Sequence, residues 1–342
     1  MRKACLVVDQ YQKVNKIFEI GAFRDDINAK YIELKRALSQ RGYELATQDI
    51  NSIENSEIVI YASDLPDTLP AEKDMHKSYL VIWESAFIRP ENYNHELHKK
   101  FNKVFTWSDD LVDNENYLKI NFSHWFPREI KKDLNIKNKM FTLIAGNKKP
   151  PHSDVGDLYA ERIKAIRWFE ANHPEQFDLY GVGWDRHRFS GPKIIRALNR
   201  LPWLAKIVQR LRSEQFPSYS GTVSNKRAVM EKYRFSICFE NVRGIKGYIT
   251  EKIFDSFFAG CVPVYLGASN VLDYIPSECF IDMRNFPSYE SLYRFVQELS
   301  DEQYLDYLNN IDGFLQSEGA RPFMAESFGY RVCEGILGNH GR

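Results

Sequence analysis

An α/β fold in two parts, each built on a parallel sheet, follows from three features of the sequence. The chain has 342 residues, enough for two domains of ordinary size. Short apolar runs alternate with stretches of helical periodicity, and the alternation runs twice, before and after a polar segment, KKDLNIKN at 131–138. The second run contains a strand, polar loop, helix and strand unit at 233–270, the kind that sets polar side chains and a helix N-terminus at the carboxyl edge of a parallel sheet.

The first part begins with a strand at 4–8. Ile27, Tyr31, Leu34 and Leu38 recur at helical spacing and Gly42 ends that pattern, so a helix is expected over 27–41. Strands are expected at 43–47, 56–62, 78–83 and 103–107. The segment 131–138 has no periodicity and is read as a linker between domains. The second part restarts with a strand at 141–145, a helix at 157–172 and a strand at 177–180 running into Gly181-Val182-Gly183-Trp184. A basic insert at 186–213 follows, then a helix at 227–233. The unit at 233–270 comes next, with Thr250 offering its hydroxyl as helix N-cap and the helix ending near Gly260. A strand at 279–282 and two helices through Gly313 complete the pattern.

Composition narrows the function classes. Lys and Arg number 46 and so do Asp and Glu, so there is no net charge to attract nucleic acid. Five scattered cysteines without CxxC spacing suggest neither a disulfide framework nor a zinc site, and are expected as buried free thiols. The N-terminal apolar run is too short for a signal peptide, and no stretch approaches 18 uncharged apolar residues. A cytoplasmic protein is expected. Neither a GxGxxG fingerprint nor a GxxxxGK[ST] loop is present, which argues against dinucleotide oxidoreductases and P-loop NTPases. The eight histidines show no HExxH spacing, and Asp109-Asp110 lacks the context of a DxD metal site.

The unit at 233–270 carries FEN at 239–241, then YITEK at Tyr248–Lys252, then a glycine-bounded VPVYL strand. This closely resembles the donor-binding motif of the α1,3/α1,4-fucosyltransferases, glycosyltransferase family ten. The resemblance extends over 138–328, with weaker echoes from 83 to 107. It implies a GT-B-like fold of two Rossmann-type domains with the active site in the cleft between them. An N-terminal acceptor-binding domain would span 1–135, a C-terminal nucleotide-sugar domain 136–330 with the insert at 186–213, and a tail 331–342. The implied activity is inverting transfer of L-fucose from GDP-fucose to a hydroxyl of an oligosaccharide or glycolipid, an α1,3 linkage to GlcNAc or Glc of a surface polysaccharide or lipopolysaccharide. Two alternatives stay open: the same fold with another GDP-deoxysugar, and a non-catalytic nucleotide-sugar-binding protein. GDP-fucose is then donor substrate, no cofactor is required, and non-essential stimulation by a divalent cation is allowed for.

Such a transfer needs a base for the acceptor hydroxyl and cations or N–H groups for the departing diphosphate. Glu84 is the candidate base: it ends the 78–83 strand, faces the expected cleft, and has Trp83 and Phe87 to desolvate it. The family places a base glutamate in an E-S-P context, whereas here Ala86 replaces the proline; a capping or salt-bridged glutamate is the competing reading. Lys252 stands in the first turn of a helix, where a cation opposes the macrodipole and suits a bound phosphate. The resemblance implies that Arg162 contacts the pyrophosphate, that Glu251 grips ribose or sugar hydroxyls, and that Lys226 matches a lysine ahead of the FEN strand. Asn241, Tyr248 and Thr250 complete the expected donor site, and Gly183 would let backbone approach the nucleotide. Neither Arg162 nor Lys252 is expected in the apolar core. The insert holds Arg186, Arg188, Lys193, Arg196, Arg200, Lys206, Arg210 and Arg212 without an acidic residue, interleaved with Ile and Leu and broken by Pro202. It reads either as a surface for an anionic membrane, giving peripheral placement at the inner membrane, or as a helical excursion packed on the donor domain.

Overall fold

The structure is a computed structural model that describes residues 1–148, 156–187, 189, 192–211 and 215–338, without the Lys193 side chain. Among the described residues, eleven strands form two sheets. The first holds β1 (Arg2–Val7), β2 (Tyr43–Thr47), β3 (Ile58–Tyr61), β4 (Ser78–Ile82), β5 (Lys103–Thr106) and β6 (Tyr117–Lys119), in the order β2-β1-β3-β4-β5-β6. The second holds β7 (Lys139–Ile144), β8 (Phe177–Tyr180), β9 (Tyr233–Phe239), β10 (Val262–Leu266) and β11 (Ile281–Asp282), in the order β11-β10-β9-β7-β8. Every pairing is parallel. β3, β4 and β10 are buried at every position, as parallel strands covered on both faces must be.

The helices are α1 (Ala29–Gln40), α2 (His95–His98), α3 (Leu158–Asn172), α4 (Lys193–Ala197), α5 (Pro202–Leu211), α6 (Lys226–Met230), α7 (Glu251–Phe258), α8 (Tyr289–Glu298), α9 (Asp301–Leu315) and α10 (Ala325–Leu337). Their starts follow local chemistry. Asp157 Oδ1 accepts from Tyr159 N–H to cap α3, Asn225 caps α6, and Ser288 and Ser300 form capping boxes on α8 and α9.

Two departures from the sequence reading stand out. The edge strand β6 was not anticipated. The segment expected as a tail, 331–342, contributes residues through Leu337 to α10. Phe328, Val332 and Cys333 of that helix are buried in the core of the first sheet, so α10 crosses back to the half that holds β1. Gly329 makes this crossing possible: a Cβ there would lie 2.6 Å from the Glu33 carbonyl carbon of α1. All five cysteines are buried free thiols.

A third apolar cluster, Phe87, Trp107, Tyr159, Val242 and Tyr248, joins the two sheets. The rings of Trp107 and Tyr248 lie 4.7 Å apart. Gly247 has φ +78, and a Cβ on it would fall 2.4 Å from Trp107 O, so only glycine lets the donor loop reach the first sheet. Asp109 completes the joint: it accepts from Asn270 Nδ2 at 2.9 Å and Tyr274 O–H at 2.6 Å, and pairs with Lys119.

Candidate active site

A cavity of ≈ 380 Å³ opens between the sheets at their carboxyl edges. In the second sheet it sits where strand order reverses, between β7 and β9, the place where open α/β sheets hold ligands. Ala145, Gly146 and Lys148 after β7, Asn241 after β9, and Thr250, Glu251 and Lys252 at the start of α7 line it, facing Trp83 and Glu84 after β4. Of the residues expected from sequence, Glu84, Arg162, Lys226, Asn241, Tyr248, Thr250, Glu251 and Lys252 all line this cavity. Gly183 does not: the turn after β8 reaches it through Gly181 and Val182, while Gly183 O accepts from Asn147 Nδ2 at 3.0 Å.

Glu84 is half-buried, and its carboxylate has neither hydrogen bond nor ion pair among the described residues, unlike the salt-bridged alternative. Burial, reinforced by the charge of Asp64, pushes its carboxyl above the usual range, against the opposing pull of Lys148 and Lys252.

The cations are held differently from the sequence expectation. Arg162 is 4% exposed, and its Nε and Nη2 donate to Phe239 O at 3.1 and 2.6 Å. Nη2 also donates to Glu240 O at 2.6 Å and Asn241 Oδ1 at 3.1 Å. It is thus a buried charge pinned to the end of β9 and not a side chain at the protein surface. Lys252 Nζ donates to Glu240 Oε2 at 3.0 Å and Thr250 Oγ1 at 2.9 Å. Glu240 is fully buried and was passed over in the sequence, although it lies inside the FEN motif. Its carboxylate also accepts Thr250 N–H at 2.8 Å and Thr250 Oγ1–H at 2.7 Å. Thr250 holds the N-cap position of α7, but its hydroxyl serves Glu240 and does not cap the helix.

Lys226 pairs with Asp255 at 2.6 Å and Asp25 at 3.4 Å, so two carboxylates claim a lysine expected to face the donor. Burial would lower its pKa, but Asp255, Glu251 and Asp25 outweigh burial and raise it. Glu251 shows the converse: burial opposes its ionisation, yet Lys252 and Lys226 hold its carboxyl well below the carboxylate range. Tyr248 is buried and accepts from Asn241 Nδ2 at 3.2 Å. Lys148, Arg24 and Asp255 line the cavity without having been singled out in the sequence, which offers no local motif for them.

Residues 205–320 match the family model described as glycosyltransferase family 10 (fucosyltransferase) C-term. The match to glycosyltransferase family 10 lies in the half that carries the donor motif. It is 33% identical over 98 residues to the alpha-(1,3)-fucosyltransferase FucT of Helicobacter pylori, a match covering 27% of this chain and 20% of that protein. It is 32% identical over 113 residues to an alpha-(1,4)-fucosyltransferase of Arabidopsis thaliana, covering 33% and 23%. The chain therefore spans about a fifth of the length of the curated relatives it matches. A crystal structure of an alpha1,3-fucosyltransferase with GDP-fucose superposes over 99% of this chain and 91% of its own, with TM-score 0.55 and 16% identity. A DNA-modifying beta-glucosyltransferase superposes over 98% and 99%, with TM-score 0.51 and 11% identity. The two parallel sheets have the GT-B architecture.

Proposed function

We propose that this protein is a family-10 fucosyltransferase that transfers L-fucose from GDP-fucose to a glycan hydroxyl with inversion at the anomeric carbon. The observation that carries the reading is the opposition across one cavity of an unpaired, half-buried carboxylate, Glu84, and the fixed charges of Arg162 and Lys252 at the end of β9 and the start of α7. In the transfer, Glu84 takes the proton of the acceptor hydroxyl as its oxygen attacks the sugar. The diphosphate leaves toward Lys252, Arg162 and the N-terminus of α7, which need no rearrangement to meet the developing charge. Glu251 and Asn241 present groups to the hydroxyls of donor sugar or ribose, with Tyr248 and Thr250 behind them. Lys226 lines this donor wall while held by Asp255 and Asp25, and Gly183 supports the wall from outside. The names of the matched relatives, one an α1,3- and one an α1,4-fucosyltransferase, support fucose as the sugar; the α1,3 linkage to GlcNAc or Glc of a surface glycan is part of the proposal. No cofactor enters these steps.

The test is thermal. GDP and GDP-fucose should raise Tm, because a ligand that binds only the folded state stabilises it, and UDP should do much less. Equal stabilisation by UDP would overturn the guanine assignment. Glu84→Gln should keep GDP affinity and reduce GDP release from GDP-fucose by roughly 10²–10⁴.

The same reading includes an anionic membrane as partner, with peripheral inner-membrane placement. No helix among the described residues is long and apolar enough to cross a membrane. What supports docking is α5, whose orientation is inverted. Ala205 and Gln209 face the protein, while Trp203, Ile207 and Leu211 are 61%, 46% and 80% exposed in one stripe. Arg196, Arg200, Lys206 and Arg210 are exposed around this stripe and form no ion pair among the described residues. Cations beside exposed Trp, Ile and Leu fit lipid headgroups over acyl chains. Arg188, Arg212 and the Lys193 side chain lie outside the described residues. Pro202 separates the two helices as expected, by opening α5. The protein should sediment with phosphatidylglycerol vesicles at low salt and release at high salt. Replacing the four cations by Gln should abolish sedimentation; a wild-type protein that ignores the vesicles at low salt refutes the docking.

A further inference from the structure

We propose that Asp64 is a positioning residue for Glu84: its carboxylate fixes the turn that presents the base, and its negative charge belongs to the base's working environment. This rests on the reading of Glu84 as base. Asp64 is buried in the loop that follows β3, with φ +65, a conformation uncommon for a residue with a side chain. Its Oδ1 accepts two consecutive backbone N–H groups, from Trp83 at 2.6 Å and Glu84 at 3.0 Å. Its own N–H donates to Val81 O at 3.1 Å, tying it to β4. The far side of Glu84 is pinned as well, because Asn92 Nδ2 donates to Glu84 O at 3.1 Å while Asn92 Oδ1 accepts Leu65 N–H at 3.1 Å. Arg89 closes the cluster, donating to Leu65 O at 2.6 Å with Nη1 3.9 Å from Asp64 Oδ2.

The backbone around Glu84 is therefore held at both N–H and C=O, while its side chain stays free to meet substrate. A neutral amide oxygen could accept the same two N–H groups, though less strongly than a carboxylate, so an Asn at this position separates the charge from the hydrogen-bond geometry. Burial raises the pKa of Asp64 above its ordinary value, against the opposing pull of the Glu84 and Trp83 N–H groups first and of Arg89 at 3.9 Å next. The charge has a consequence for the neighbouring base. Groups that bear on Glu84 are Asp64 and Glu251, which hold its proton, Lys148 and Lys252, which release it, and the neutral phenols Tyr159 and Tyr248. Asp64 is the carboxylate of this set bound to Glu84's own backbone.

The sign follows directly. Glu84 works deprotonated, so activity falls as pH drops through its pKa. Removing the Asp64 charge lowers that pKa and moves the acid limb to lower pH. The experiment follows GDP release from GDP-fucose, with water as acceptor, across pH for wild type, Asp64→Asn and Asp64→Glu, with Glu84→Gln as control. Asp64→Asn can still accept both N–H groups, and its acid limb should shift to lower pH with donor KM unchanged. Asp64→Glu keeps the charge but lengthens the side chain. Its limb should stay while kcat falls about tenfold to a hundredfold through displacement of the base. An unmoved limb in Asp64→Asn overturns the inference. If that variant does not fold, an undiminished kcat in Asp64→Glu overturns it instead, and the predicted fall supports it. If Glu84→Gln retains full release, the base assignment itself has failed, an outcome distinct from failure of the Asp64 role alone.

Discussion

The cleft and the α4–α5 surface both concentrate positive charge, and they treat it in opposite ways. In the cleft Arg162, Lys226 and Lys252 are each fastened, to carbonyls, to two aspartates, and to a fully buried glutamate. On α4–α5 Arg196, Arg200, Lys206 and Arg210 stand in water beside exposed Trp and Ile. Fastened charges are preorganised: they stabilise a developing anion without moving, at a desolvation cost met by their partners. Unfastened surface charges stay hydrated and respond to an anion brought from outside, with strong salt dependence. A cation-rich sequence segment thus does not identify a catalytic site; the partner atoms do.

The comparison breaks hardest at Lys252. Lys252→Ala should lower kcat by about 10²–10³, as for other deletions of a charge-stabilising group. The sequence places Lys252 outside the apolar core, which predicts a variant that stays folded; its pairing with buried Glu240 means that the variant should instead lose roughly 3–5 kcal/mol of stability, because Glu240 is left without its counterion. Adding Glu240→Gln should restore much of the stability and none of the activity. If Lys252→Ala melts like wild type, the pair does not hold the donor wall.

Asp109 gives a smaller effect of the same kind at the joint between sheets. Burial raises its pKa, but hydrogen bonds from Lys119, Tyr274 and Asn270 outweigh burial and hold it below the ordinary value. A depressed carboxylate contributes stability above its unfolded pKa, and that contribution fades as pH falls through the folded value. Wild type should therefore lose its advantage over Asp109→Asn below about pH 4. At neutral pH the variant should be less stable by about 1.5–3 kcal/mol, the usual worth of hydrogen bonds to a charged group. Denaturant titrations at neutral and acid pH read both; a constant gap between the two proteins would refute the account.

Least of all should happen to folding on α4–α5. Each of Arg196, Arg200, Lys206 and Arg210 changed to Gln should alter stability by no more than about 0.5 kcal/mol. A loss of several kcal/mol from the fourfold variant in urea would mean that these cations are fastened after all, and would erase the contrast with the cleft.

The sequence by itself determined the two α/β halves, most strand positions, and eight of the side chains that meet in the cavity, though not Lys148, Arg24 or Asp255. Those signals are local: strand length, helical spacing, and a short motif that keeps Asn241, Tyr248 and Lys252 within one strand–loop–helix unit. The reach of α10 back to the first sheet depended on Gly329 meeting α1 some 300 residues earlier in the chain, and no local pattern reports such a contact. Tertiary structure also decided the state of each charge. Arg162 is committed to carbonyls 77 residues away, and Glu240, read as the end of a strand, is the counterion of Lys252. Asp64 holds the backbone of Glu84 across 20 residues. Which side of α5 faces water was likewise set by packing: Ala205 and Gln209 fit the protein surface, so Trp203, Ile207 and Leu211 were turned outward. Residue type and spacing specify which groups arrive at a site, but hydrogen-bond partners and burial fix their protonation and freedom, and these come from distant parts of the chain.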